Sequence, residues 1–181
     1  MPFTFEKMKN NSILVIPKSF IDTRGWFLET YKLSDFEANG ISGKFVQDNH
    51  SYSTYNVLRG IHYQKNPKPQ GKLVRCIKGS ILDIAVDLRR NSETFKQWVS
   101  VELSEQNQQM LWVPEGFGHG FITLTSQAEI SYKCTAEYDS SLDSGIIWND
   151  PDLNIDWENS NPPNLSEKDM ILPTLHNAVL F

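Results

Sequence analysis

Over most of its length the chain alternates apolar and polar residues in short runs, the period of a strand with one buried face. SILVIP (12–17) reads as a strand ended by Pro17. In FIDTRGWFLETY (20–31), Asp22-Thr23-Arg24-Gly25 has turn chemistry, and Trp26 to Tyr31 predicts a further strand. From Lys44 to Lys133 strand follows strand. Turn residues fall at Asn56, at Asn66-Pro67 to Gly71, at Lys78-Gly79-Ser80, near Asn91-Ser92, at Glu105 to Asn107, at Pro114 to Gly116 and at Ser126-Gln127. In ILDIAVDL (81–88), Leu82, Ile84, Val86 and Leu88 share one face, and Asp83, Ala85 and Asp87 share the other. WVSVEL (98–103), MLWVP (110–114), GFITLT (120–125) and EISYKC (129–134) continue the series. Helix signals are few. Ser34 is placed to cap a short helix from Asp35 to Asn39 with Gly40 as its stop, and LSEKDM (165–170) suits one turn capped by Ser166. Short strands at near-regular spacing predict an all-β fold, a sandwich or barrel-like jelly roll.

One stretch breaks the alternation with chemistry. Residues 44–79 place Gln47, Asn49, Arg59, His62 and Lys72 among Phe45, Val46, Val57, Leu58, Ile61, Leu73, Val74 and Ile77, apolar residues that suit a buried sheet. Ionisable groups among core formers point into a pocket more often than onto a solvated surface. A His, an Arg and a Lys there suit a base, an anion clamp and an oxyanion stabiliser.

Composition narrows the partners. The 181 residues favour one domain with a sizeable core. The formal net charge of -5 leaves no global basic field for nucleic acid. No run of about 18 apolar residues occurs and the N-terminus has no signal-peptide pattern, so neither a membrane span nor export is expected. Cys76 and Cys134 lie in apolar runs without a CxxC partner, which predicts buried free thiols and a reducing cytoplasm.

In an ideal strand Arg59 and His62 would face opposite ways. Gly60 between them permits a bulge that re-aims one of the two. His119, in PEGFGHGF (114–121), is expected at a sheet rim where a strand begins. Two histidines raise the question of a metal, but a mononuclear site in a jelly roll commonly uses H-x-H with a carboxylate and a further His. Position 64 is Gln, no H-x-H occurs, and His50 and His176 have no partner pattern. Tyr132 shares a strand face with Ile130 and Cys134 and suits either a core tyrosine or a general acid. Asp169 is a solvated helix carboxylate unless the tail folds back beside His62, where it would orient the imidazole. There is no G-x-S-x-G, Gly-rich phosphate loop or dinucleotide fingerprint.

The runs FIDTRGWFLETY, FVQDNHSYS, LRGIHYQ, QGKLVRCIKG, ILDIAVDLR, WVPEGFGHGF, YKCTAEY, WNDPDLNIDW and LSEKD, spanning roughly residues 20–170, resemble the dTDP-4-dehydrorhamnose 3,5-epimerases. The resemblance implies a cupin-type jelly roll that needs no cofactor and no metal. It implies a homodimer, with segment 1–43 contributing to the dimer and the tail 140–181 packing back on the barrel. It also implies inversion of the two carbons flanking the ketone of a dTDP-4-keto-6-deoxyglucose. By resemblance His62 is the base, Asp169 orients it, Lys72 neutralises the enolate and Tyr132 returns a proton from the other face. Arg59 and His119 would meet the pyrophosphate, Gln47 and Asn49 the nucleotide sugar, and Tyr138 the base by stacking. Arg24 and Glu29 would reach the neighbouring subunit's site within residues 20–31, and Asp143 and Lys168 would make peripheral contacts. Two departures are visible: Gly118 replaces an Ala and is expected to loosen packing beside His119, and Asp143 stands where many relatives have Glu. A single-site 3- or 5-epimerase of another deoxysugar pathway is the nearest alternative, since 3-epimerases keep the same His and Tyr. A metal-dependent cupin enzyme and a non-catalytic binding module are more distant ones.

Overall fold

The computed structural model describes residues 2–181 and folds them into two facing antiparallel β-sheets, a jelly-roll sandwich. The larger sheet has the order β1-β2-β10-β7-β12-β5, formed by β1 (Phe3–Lys7), β2 (Ile13–Pro17), β10 (Met110–Val113), β7 (Lys72–Lys78), β12 (Gln127–Cys134) and β5 (Gln47–Thr54). The smaller has the order β13-β6-β11-β8-β9, from β13 (Asp143–Gly145), β6 (Leu58–Gln64), β11 (Phe117–Thr123), β8 (Ser80–Asp87) and β9 (Trp98–Ser104). A separate hairpin, β3 (Phe20–Asp22) and β4 (Gly25–Phe27), has every residue exposed. The helices among the described residues are α1 (Leu33–Glu37) and α2 (Glu167–Met170).

Side-chain parity decides where the core sits. All eight residues of β8 are buried. Leu82, Ile84, Val86 and Leu88 share the outward face, as the alternation predicts, and pack with Leu58, Ile61 and Tyr63 under Ile146, Leu153, Trp157, Leu175 and Ala178 of the C-terminal segment. This cover explains why β8 reads as nearly continuous apolar sequence: both its faces are dry. The other parity faces the second sheet. There Ile81, Ala85, Phe117 and Phe121 meet Val74, Cys76, Leu111, Val113, Ala128 and Ile130 and close one half of the sandwich interior. The other half is lined by polar side chains and remains open.

The bulge that would turn Arg59 and His62 to one side is present. His62 pairs with His119 and Arg59 with Phe121, so three steps along β6 span two along β11. Gly60 sits at φ +129°, and a Cβ there would lie 2.5 Å from the Gly120 Cα. Only glycine fits both conditions.

Several expectations change. β4 ends at Phe27, so the strand expected from Trp26 to Tyr31 is shorter. Beyond it Leu28 turns in to a buried position, while Trp26 and Phe27 stay exposed. Helix α1 begins two residues early, with Lys32 as N-cap and no side-chain cap bond, so Ser34 does not cap it. Its stop is as expected: Gly40 at φ +83° donates to the Glu37 carbonyl and Ile41 to that of Phe36. Val46 and Ile77 are exposed because both lie on the outer face of the larger sheet, away from the interior. His119 is the third residue of β11 and buried, because the strand starts at Phe117 in the middle of the smaller sheet. It is not at a rim. Gly118 does not loosen the packing, since the Ile61 Cγ2 methyl and Leu88 already fill the space an alanine would take. β1 and β13 were not anticipated.

Candidate active site

The open half of the sandwich holds a cavity of about 350 Å³. The larger sheet contributes Gln47 and Asn49 from β5, Lys72 from β7 and Tyr132 from β12. The smaller sheet faces them with His62 and Gln64 from β6 and Asp143 from β13, while Gln70, Tyr138 and Lys168 stand around the mouth. The inward positions of these strands bring the groups together: 47 and 49 on β5, 62 and 64 on β6, 72 on β7 and 132 on β12.

The tail does fold back beside His62. Asp169 Oδ1 lies 2.5 Å from His62 Nε2, and the Asp169 side chain is only 4% exposed. Ser166 holds the carboxylate from behind, its hydroxyl donating to Oδ2 at 2.9 Å, and caps α2 by accepting the Asp169 backbone N–H at 3.1 Å. Burial works to raise the Asp169 pKa. The hydrogen bonds from His62 and Ser166, with the charges of His62 and Lys168, outweigh it and hold the carboxyl below the ordinary carboxylate range. The carboxylate is ionised at neutral pH and fixes the ring, leaving Nδ1 as the free nitrogen.

Lys72 and Tyr132 face this dyad from the other sheet. Burial pushes the Lys72 pKa down, against the opposing pull of Cys134, Asp143 and Asp83. Burial pushes the Tyr132 phenol up, with Cys134 adding to the rise and Arg59 opposing it. A tyrosine held in this way keeps its proton, and a desolvated ammonium donates strongly to a developing oxyanion.

The remaining candidates divide. Gln47 accepts the Tyr138 backbone N–H at 2.7 Å and donates to Asn49 at 3.0 Å. Asp143 accepts from Tyr138 Oη at 3.0 Å and pairs with Lys168, so the shorter carboxylate still reaches its neighbours. Arg59 turns to the inner face but is tied to Ser53 Oγ and the Tyr52 carbonyl, beside the cavity rather than lining it. His119 bonds Asp83 at 2.8 Å, a second buried histidine–carboxylate pair next to His62. Arg24 is paired with Asp22 on the exposed β3–β4 turn, and Glu29 is half-buried outside the cavity, so this chain does not bring either to its own site. Sequence reasoning passed over Asp83, Gln64 and Gln70. The signal for Gln64 was its spacing of two from His62, and for Asp83 an acid within an apolar strand. Among the described residues no three His, Cys, Asp or Glu side chains cluster to hold a metal, and no helix is long and apolar enough to cross a membrane.

This fold has known counterparts. The family model described as dTDP-4-dehydrorhamnose 3,5-epimerase matches residues 8–177. The chain belongs to that family. It is 50% identical over 169 residues to the dTDP-4-dehydrorhamnose 3,5-epimerase of Salmonella typhimurium, covering 93% of this chain and 92% of that protein. The Legionella pneumophila epimerase, solved with dTDP-4-keto-L-rhamnose, superposes with a TM-score of 0.93 at 40% identity, over 97% of this chain and 94% of that one. A 3′-monoepimerase from Streptomyces bikiniensis, solved with dTDP-quinovose, gives 0.85 at 32% identity, over 97% and 87%.

Proposed function

We propose that the protein converts dTDP-4-dehydro-6-deoxy-D-glucose to dTDP-4-dehydro-L-rhamnose by inverting carbons 3 and 5, a step of dTDP-L-rhamnose biosynthesis. The observation that carries this reading is that His62, held from behind by Asp169, and the two residues Tyr132 and Lys72 line one cavity from opposing sheets.

His62 Nδ1 takes the proton from the carbon beside the ketone. The C–H electrons move into a carbon–carbon double bond and the carbonyl becomes an enolate oxyanion. The Lys72 ammonium sits by that oxygen and lowers the cost of its charge. Tyr132 then delivers its proton to the same carbon from the opposite face as the carbonyl re-forms, and the centre is inverted rather than merely exchanged. Once His62 has given its proton to solvent and Tyr132 has regained one, the second carbon flanking the ketone undergoes the same sequence. No oxidant or metal is needed to balance these steps.

Gln47 and Asn49 hydrogen-bond along the nucleotide sugar, Arg59 and His119 meet the pyrophosphate, Tyr138 stacks on the base, and Asp143 and Lys168 contact the periphery. The protein works as a cytoplasmic homodimer in which segment 1–43, through residues 20–31, carries Arg24 and Glu29 to the neighbouring site. Support comes from the β3–β4 arm, where Ile21 is 82% and Phe27 64% exposed, apolar surface suited to a partner. The tail 140–181 completes the single domain by covering the smaller sheet.

The likeness to a monoepimerase gives the competing reading, inversion at carbon 3 alone. Incubating enzyme and dTDP-4-dehydro-6-deoxyglucose in deuterated water, with NMR of the product, separates them. The proposal expects label at carbons 3 and 5 and an L-rhamno product. Label at carbon 3 only refutes it.

A further inference from the structure

The segment between β12 and β13, residues 135–142, crosses from the larger sheet to the smaller at the cavity mouth. It belongs to no strand, so its peptide groups have no ladder partner and need one elsewhere. Glutamine side chains supply it. The Gln64 amide donates to the Lys68 carbonyl at 2.6 Å and to the Glu137 carbonyl at 3.0 Å, and its oxygen accepts the Asp139 backbone N–H at 2.8 Å. Gln70 donates to the Ala136 carbonyl at 2.8 Å, and Gln47 accepts the Tyr138 N–H at 2.7 Å. Residues 136 to 139 are each held by one of these three side chains, and Gln64 holds two of them.

We propose that Gln64 is a positioning residue for nucleotide binding, clamping the backbone on both sides of Tyr138 so that its ring is presented to the base. The inference rests on the reading of Tyr138 as the residue that stacks on the base. Gln64 lines the cavity two residues from His62, a place that suits direct contact with the sugar. Its chemistry points elsewhere. A glutamine amide has two N–H donors, and both are spent on backbone carbonyls, so none is left for the substrate. Tyr138, by contrast, is 57% exposed. Packing does little to hold it, so its direction comes from its backbone and from the bond of its hydroxyl to Asp143 at 3.0 Å. Asp143 is itself the strand partner of Gln64. Both anchors of the tyrosine therefore run to the end of β6.

A side-chain amide carries the same donor and acceptor as a peptide, which is why it can stand in for a neighbouring strand. Methionine keeps the length of Gln64 and loses all three bonds. A binding element that is ordered before the ligand arrives costs less to engage, so loosening it appears in affinity rather than in chemistry. His62, Lys72 and Tyr132 stand on β6, β7 and β12, whose ladders do not use residues 135–142. Their geometry survives the loss of the clamp.

The test is a double-mutant cycle of Gln64→Met and Tyr138→Ala, measuring the Kd of dTDP by calorimetry and kcat with dTDP-4-dehydro-6-deoxyglucose. Tyr138→Ala is expected to weaken dTDP about tenfold, the scale of one base stacked on an aromatic ring. Gln64→Met is expected to weaken it about fivefold, bounded by that value, with kcat within about twofold of wild type. Added to Tyr138→Ala, Gln64→Met should change Kd by less than about twofold, because the ring it positions is gone. Fully additive losses, an unchanged Kd in Gln64→Met, or a fall in kcat without a change in Kd would each overturn the inference. If Gln64→Met does not fold, Gln70→Met frees the Ala136 carbonyl alone. Its Kd should rise about threefold, the scale of one neutral hydrogen bond, with Tyr138 present and not without it; an equal rise in both backgrounds overturns the inference. If Tyr138→Ala binds dTDP as wild type does, the stacking reading itself fails, and the role of Gln64 fails with it.

Discussion

Replacing Asp169 by Asn asks how much of the base's power comes from its carboxylate. The substitution keeps the shape, and the backbone cap to Ser166 is unaffected because it uses the residue 169 N–H. What is lost is a charge-assisted hydrogen bond of 2.5 Å from the His62 imidazole to a carboxylate with almost no exposed surface. Bonds of that kind contribute about 1.5–3 kcal/mol, and each 1.4 kcal/mol is a factor of ten in rate. The expected fall in kcat is therefore on the order of 10- to 150-fold. Asp169 does not line the cavity, so KM for the dTDP-sugar should stay within about twofold. Thermal unfolding should shift by only a few degrees, since the cap and the fold survive. The assay is coupled turnover with purified dTDP-4-dehydro-6-deoxyglucose, with the melting curve as control. A folded Asp169→Asn enzyme turning over at the wild-type rate would refute the coupling of this carboxylate to the base. So would a rise in KM with kcat unchanged.

Other consequences can be checked singly. Tyr132→Phe removes the donor opposite His62, so in deuterated water exchange should persist while net inversion falls; an equal loss of both would remove the acid role. Gly118→Ala would set a Cβ 2.4 Å from the Ile61 Cγ2 methyl and should destabilise by about 1–3 kcal/mol through overpacking. Adding Ile61→Leu, which deletes that methyl, should recover part of the loss, and no recovery in urea titrations would contradict the packing argument. Asp87 has a fully buried side chain that accepts from Arg89, Ser92 and Thr94. Burial raises its pKa, but those bonds outweigh burial and leave it below the ordinary 3.8. Its contribution is thus present above 3.8 and lost as pH falls through the lower folded value. Asp87→Asn should cost about 2 kcal/mol at neutral pH, discounted for the partly exposed Arg89, and should flatten the acid end of the stability curve; an unchanged curve would contradict this.

Much of the fold is legible because strand parity is a local property. The faces of 81–88, the Gly40 stop, the Ser166 cap and the Gly60 bulge follow from neighbours in the sequence, and all are present. Parity also places Gln47, Asn49, His62, Lys72 and Tyr132 on inward faces. What the chain does not show locally is long-range closure. His62 and Asp169 are 107 residues apart, and the tail is brought round by the packing of Ile146, Leu153, Trp157, Leu175 and Ala178 against the smaller sheet and by backbone pairing of β13 and Asn164 to it. His119 was expected at a rim because Pro and Gly precede it, yet the turn ends earlier and leaves it within β11. Strand β1 went unanticipated although Phe3 and Phe5 alternate with polar residues, because its pairing partner β2 carries the stronger signal. The arm at 20–27 looks like sheet and forms only its own hairpin, since its apolar residues have no surface of this chain to cover them.

The proposed mechanism turns on one proton transfer, and the most direct measurement of it is the rate of solvent-deuterium incorporation into dTDP-4-dehydro-6-deoxyglucose by wild type and by His62→Ala. The expected result is label at carbons 3 and 5 with wild type and a loss of roughly 100-fold or more with the variant, the usual scale of a general base. Incorporation by His62→Ala at the wild-type rate, in a protein that still binds the nucleotide sugar, would contradict it.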